Sequence, residues 1–185
     1  MIFPPRTLTT GRLHLRLPTL SDTQAVFSYT SDPVVSRCMS FRTQTEPAEA
    51  EAWIKGALDA WGAGSEHRPW IIEHRATGEV LGAIGAGLKE STVSVGYLLR
   101  QTAWGKGFVP EALAAVRDAA FADPRVVRFQ ALHDTENPAS GRVLEKVGLR
   151  REGLLRGHSV LPNLGDAPRD VWMWAMVRGD AAPIV

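Results

Sequence analysis

The chain has 185 residues, 44% of them hydrophobic, with a formal net charge of +1 and one cysteine. That length and apolar content suit one domain with its core in about residues 10–178, and the near-zero charge argues against direct nucleic-acid binding or an acidic membrane surface. Cys38 alone cannot form an intrachain disulfide, and no leader-like segment or apolar run near about 18 residues stands out, so a soluble cytoplasmic protein is expected.

Residues 12–17 (RLHLRL) alternate strictly, which predicts a half-buried strand with Leu13, Leu15 and Leu17 inward, stopped by Pro18. Ser21-Asp22 then caps a helix to about Thr30, with Ala25, Val26 and Tyr29 on one face. Residues 32–45 read as a polar loop, with a turn in 34–39. A second helix spans 48–63 behind Glu46-Pro47, carrying Trp53, Ile54, Ala57, Leu58 and Trp61 on one side and ended by Gly62 and Gly64. Strands follow at 70–74, 80–88 and 92–99, the first two joined by a hairpin turn at Thr77-Gly78. The glycine-rich VLGAIGAGL of the second implies close approach by another backbone or a ligand. A helix at 110–122, a strand at 126–132, a short helix at 138–147 and strands at 152–161 and 169–177 complete an α+β order. A strand followed by a helix and another strand near the centre requires a parallel crossover.

The stretch between strand and helix, Trp104-Gly105-Lys106-Gly107-Phe108, places two glycines around a lysine. Outward amides there, added to the positive end of a helix, form an anion site of the kind phosphate occupies. The same spacing also serves a tight turn with no ligand, and the residues leave both readings open. No G-x-x-x-x-G-K-[ST] loop is present, and the third glycine of the dinucleotide fingerprint is missing. The five histidines, at 14, 67, 74, 133 and 158, have no paired metal spacing, so no metal is expected.

RLHLRLPTLSD near the start, GYLLRQTAWGKGFVPEA in the middle and NPASGRVLEKVGLRREG from Asn137 together resemble the GNAT superfamily of acetyl-CoA-dependent N-acetyltransferases. The nearest likeness is to the Rim-type branch that acetylates ribosomal-protein N-termini. The resemblance implies a single-domain, mixed, mostly antiparallel seven-stranded sheet with flanking helices. Its two central parallel strands, 93–99 and 126–132, would splay apart. Pantetheine would lie in the splay against main-chain groups of Leu98 and Leu99, and the pyrophosphate on amides of Trp104, Gly105, Lys106, Gly107, Phe108 and Val109. Arg142 and Lys146 are placed either to reach the 3′-phosphate or to pair with Glu145 and Glu152. Thr102, Ser94 and Pro110 depart from the family pattern, which often carries Arg or Gln, Glu, and a residue with a free N–H at those places.

In the branch resembled, Ser140 corresponds to the serine that meets the leaving thiolate, and Asn137 to the asparagine that contacts pantetheine. A hydroxyl at Ser140 could donate to sulfur, and Asn137 before Pro138 is also good helix-capping chemistry. A strand amide near Leu98 would hold the carbonyl oxygen. Glu73, His74, Glu136 and His158 are conceivable bases, and a water chain is an alternative to all of them. An α-amino group has a pKa of about 7.7–8.0 and a lysine about 10.4, so at neutral pH lysine needs roughly 3–4 kcal/mol more to become nucleophilic. A chain without an obvious strong base therefore suits N-terminal amines, with a ribosomal protein or peptide N-terminus as the acceptor the resemblance names. The acceptor would enter near Trp53, Trp61, residues 67–70 and the 161–168 loop, where Asp32, Glu46, Glu66, Asp166 and Asp170 are the few acids. A small-molecule amine acetyltransferase and a non-catalytic acyl-CoA-binding module are the alternative readings. Either a monomer or a homodimer is compatible with the sequence.

Overall fold

Apolar side chains that alternate along a strand must find cover on both faces once helices lie above and below the sheet, and this chain sorts them accordingly. In the computed structural model, which describes residues 3–63, 65 and 67–180, eight strands form one sheet in the order β1-β2-β3-β4-β5-β6-β8-β7. They are β1 (Leu8–Thr9), β2 (Leu13–Arg16), β3 (His67–His74), β4 (Val80–Lys89), β5 (Thr92–Leu99), β6 (Arg128–Asp134), β7 (Arg150–Ser159) and β8 (Arg169–Val177). All neighbours are antiparallel except β5 and β6. The strand beyond the seven expected is the two-residue β1, too short to leave a period in the sequence.

The helices are α1 (Thr23–Thr30), α2 (Pro33–Ser36), α3 (Pro47–Ala63), α4 (Phe108–Ala122) and α5 (Pro138–Lys146). Consecutive residues of β3 separate the two cores. Trp70 and Ile72 join Leu13, Leu15, Ile84, Phe129 and the apolar face of α4, while Ile71 turns the other way to Val26, Tyr29 and Ile54 of α1 and α3. Leu13, Leu15 and Ile54 are fully buried, each worth about 1.5–3 kcal/mol. Leu17, Trp53 and Leu58 are only partly covered. No helix among the described residues is long and apolar enough to cross a membrane.

Several boundaries differ from the sequence expectations. Strand β3 begins at His67, ahead of the expected start at Trp70, so residues 67–70 belong to it. Strand β6 begins at Arg128, because Val126 bonds back to the Asp123 carbonyl and Val127 donates to Ser91 outside the ladder. It continues to Asp134, whose buried carboxylate pairs with Arg169 on β8 at 2.6 Å. Strand β7 starts at Arg150, two residues early, in register with Ala175. Helix α4 begins at Phe108, ahead of Pro110, which the first turn tolerates. Two residues that the sequence reading used, Gly64 and Glu66, lie outside the described residues.

The glycines of β4 have the close neighbours their spacing predicts. A Cβ on Gly82 would fall inside contact distance of the Leu98 carbonyl oxygen and 2.8 Å from the Leu99 Cα, and one on Gly85 would meet the His67 ring at 2.5 Å. The first obstruction is backbone and cannot move aside, whereas Gly56 sits in α3 with nothing within 4 Å. Gly82→Ala is therefore expected to destabilise the protein by about 1–3 kcal/mol, as overpacking does. Gly56→Ala should stabilise it by roughly 0.5–1 kcal/mol. Urea unfolding of the two variants beside the parent checks both signs.

Candidate functional site

Only three residue pairs join the parallel strands: Thr92 with Arg128, Val93 with Phe129 and Ser94 with Gln130. The last is reinforced by a 3.0 Å hydrogen bond from the Gln130 amide to Ser94 Oγ. Beyond it β5 runs on to Leu99 and β6 to Asp134 with their facing edges unpaired. A cleft of about 700 Å³ opens there, with Leu98 and Leu99 on one lip and Leu132 on the other. Unpaired strand edges carry main-chain donors and acceptors that an extended, amide-containing ligand can satisfy.

Residues 104–109 close one end of this cleft. Gly105 and Gly107 adopt left-handed φ values of 73° and 77°, which a Cβ would penalise. The turn feeds α4, and the amides of Gly105, Lys106, Gly107, Phe108 and Val109 have no acceptor among the described residues. Five open N–H groups at a helix N-terminus are the arrangement that binds a diphosphate. The Trp104 indole donates to the Leu99 carbonyl at 2.7 Å while the ring stays 46% exposed, so it ties the turn to the end of β5. Lys106 is set apart: its side chain does not line the cleft, and its carbonyl accepts from Arg12 at 3.0 Å.

Arg12 gave no local signal in the sequence. Its guanidinium stacks over Phe108 at 4.6 Å and pairs with Glu111 at 2.6 Å, while Glu111 also accepts from Thr10 and from the Arg12 amide. Burial works against the Glu111 charge, but the bonds from Thr10 and Arg12 outweigh it and hold the carboxyl below its usual range. The turn is thus braced from behind by the N-terminal strand.

On the far side of the cleft stands α5. Asn137 is its N-cap, with Oδ1 accepting from the Ser140 amide at 3.2 Å and Pro138 at the first helical position. The Ser140 hydroxyl is not used in capping. It lies 2.8 Å from the Tyr97 hydroxyl on β5, whose pKa burial pushes up to about 12, with the Ser140 bond working in the opposite direction. Arg142 and Lys146 line the cleft one turn apart, and the Glu152 expected near them pairs instead with Arg128 at 2.6 Å.

The remaining wall comes from α2 and the loop after β7. Asn163 spans them, donating to the Ser36 and Phe41 carbonyls at 2.7 and 2.8 Å and accepting from the Thr43 amide at 2.9 Å. Glu136 is held between Arg37 at 3.2 Å and Arg169 at 3.0 Å. Burial raises the Asp134 pKa, and Arg169 with the Glu136 amide more than offsets it, leaving the carboxyl below its ordinary range. Of the four conceivable bases only Glu136 reaches the cleft. Glu73 is bound to Arg16, His74 packs edge-on to Phe108 and bonds Thr77, and His158 bonds Ser159 on exposed β7.

Residues 12–150 match the family model described as an acetyltransferase (GNAT) domain. The chain is 31% identical over 179 residues to an uncharacterized N-acetyltransferase p20 of Bacillus licheniformis, covering 95% of this chain and 98% of the relative. Among solved structures it is similar to RimL, a ribosomal L7/L12 alpha-N-protein acetyltransferase in complex with coenzyme A. That match has a TM-score of 0.81 at 18% identity, covering 92% of this chain and 97% of the other. It is also similar to the microcin C7 self-immunity acetyltransferase MccE in complex with acetyl-CoA and AMP, with a TM-score of 0.82 at 16% identity, covering 91% and 93%. At such identities the structural likenesses establish the fold alone, whereas the domain match and the full-length relative establish descent. The protein belongs to the GNAT family and is an acetyl-CoA-dependent N-acetyltransferase.

Proposed function

We propose that the enzyme acetylates a protein or peptide N-terminal α-amine, with the coenzyme seated on the amides of residues 105–109 and its thioester arm between β5 and β6. The observation that carries this reading is the continuity of the open turn amides with the unpaired strand edges and then with Ser140, all around one cleft. In this seat Leu98 and Leu99 supply main-chain partners, Asn137 holds the start of α5 against the arm, and Arg142 and Lys146 offer positive charge. Bound acetyl-CoA supplies a thioester that an uncharged amine attacks. As the C–S bond breaks, Ser140 Oγ gives its proton to the departing sulfur, and the proton that the attacking nitrogen sheds returns to Ser140 through water, at a helix N-terminus whose potential favours negative charge there.

Charge at the mouth supports a singly charged acceptor. Glu136 is engaged by two arginines, Asp134 by Arg169 and Asp166 by Arg42, while Asp32 caps α2 and Asp170 holds the Gly157 amide. A polyamine or aminoglycoside would need free carboxylates in the cleft, and the two that line it, Asp134 and Glu136, are already matched by arginines. Because both of these cleft carboxylates are paired with arginine, an amine already partly neutral near pH 7 fits better than lysine.

Thiol release from acetyl-CoA, measured with N-terminal peptides, lysine peptides, polyamines and aminoglycosides, is expected to be fastest with the N-terminal peptides. Its pH profile should rise and level off near about pH 8, where an α-amine is deprotonated. Fastest turnover of a polycation would reject the peptide reading. Ser140→Ala should lower kcat roughly 10²-fold while calorimetric affinity for coenzyme A stays within about twofold. Gly107→Val forces a β-branched residue to positive φ in the middle of the amide row, and titration calorimetry should show coenzyme A affinity reduced by about tenfold or more.

A further inference from the structure

The side chains of Tyr97 and Ser140 meet across the cleft from different elements, β5 and α5, 43 residues apart. Each hydroxyl has the other residue as its only hydrogen-bonding partner among the described residues, the phenol lying 2.8 Å from Ser140 Oγ and 3.4 Å from the Ser140 carbonyl oxygen. The phenol ring packs against the larger core, three residues past the point where β5 and β6 stop pairing. A side chain at the third position of a helix ordinarily turns back to accept from the N-cap amide, but here the Asn137 amide already donates to the Asp134 carbonyl at 2.9 Å. The serine hydroxyl is therefore free to be oriented from outside the helix.

A phenol is the more acidic partner and so the natural donor of the pair. Burial keeps Tyr97 protonated across the neutral range, so its O–H is available at every working pH. When it donates to Ser140 Oγ, the serine's own hydrogen cannot lie along that line and must point elsewhere. We propose that Tyr97 is the positioning residue for Ser140: its phenol O–H donates to Ser140 Oγ, fixes that rotamer and turns the serine O–H into the cleft toward the thioester sulfur of acetyl-CoA. The inference rests on the assignment of Ser140 made above. No proton leaves Tyr97 in this arrangement; it acts by orientation alone.

Tyr97→Phe keeps the ring and its packing and removes only the donor. It should lower kcat roughly tenfold, as expected for one oriented hydrogen bond, with the KM for acetyl-CoA and the calorimetric Kd for coenzyme A within about twofold of the parent. Combined with Ser140→Ala it should add almost nothing, because the two groups act as a unit. A second readout needs no turnover. Tyr29 and Tyr97 are the two tyrosines of the chain, so protein labelled at tyrosine ¹³Cζ gives two resonances. Ser140→Ala in coenzyme-free protein should shift the Tyr97 signal and leave that of Tyr29 in place. A Tyr97→Phe variant with parental kcat beside an impaired Ser140→Ala would overturn the positioning role, as would an unmoved Tyr97 resonance. Parental kcat in Ser140→Ala would instead refute the assignment of Ser140. Absence of transfer to every amine in the panel would refute the functional reading, and the resonance would still decide the contact.

Discussion

Everything that distinguishes this sheet from an ordinary mixed one follows from how early β5 and β6 let go of each other. Three ladder pairs and the Ser94–Gln130 bond hold them, and then β5 runs on from Val95 to Leu99 and β6 from Ala131 to Asp134 without pairing to each other. Strands normally part only where something else satisfies the backbone, since a buried unpaired N–H or C=O costs on the order of 1–3 kcal/mol. Here the chain keeps the gap open by fastening each strand to its outer neighbour. Strand β5 is paired with β4 along its whole length, from Thr92 to Leu99, and β6 with β8 from Arg128 to Asp134. The glycines of β4 let the β4–β5 pair approach closely, so the opening falls where outer pairing leaves it.

The ends of the cleft obey a second rule, that its polar groups are fixed by distant partners. Arg12 braces the glycine turn from 94 residues away, Tyr97 reaches Ser140, and Arg169 neutralises Asp134. Such contacts spend side-chain entropy once, during folding, so the groups facing the cleft are already in place when a ligand arrives. In the proposed reading this matters most for the turn amides, whose value to a diphosphate depends on their pointing the same way at the same time.

These distances also explain what was legible in the sequence. The strands expected at 92–99 and 169–177 and the helix with its apolar stripe at 48–63 rest on local patterns, and their elements lie within a residue of the expected bounds. The glycine turn and the Asn137–Pro138 cap are local as well. Strand β6 begins two residues later than its side chains suggest, because Val126 and Val127 are strand-like but commit their amides to a turn and to Ser91. Its far end at Asp134 is polar, and the ion pair with Arg169 together with the bond from the Glu136 amide makes a buried strand position of it. Arg12, Tyr97 and Asn163 act through partners no periodicity can reveal, although Arg12 opens the first quoted motif and Tyr97 the second.

Asn163 leads to a consequence of another kind. One carboxamide fastens the loop after β7 to the segment following α2, through three bonds to main-chain groups and without help from the strands beneath. Most of the seam it makes is to main-chain groups, with the Thr43 hydroxyl and Arg42 adding side-chain contacts. Positions of those loops outside the seam can therefore vary while the parted strands and the amide row stay as they are. A scaffold divided this way can be retargeted toward new amines by changing its rim alone.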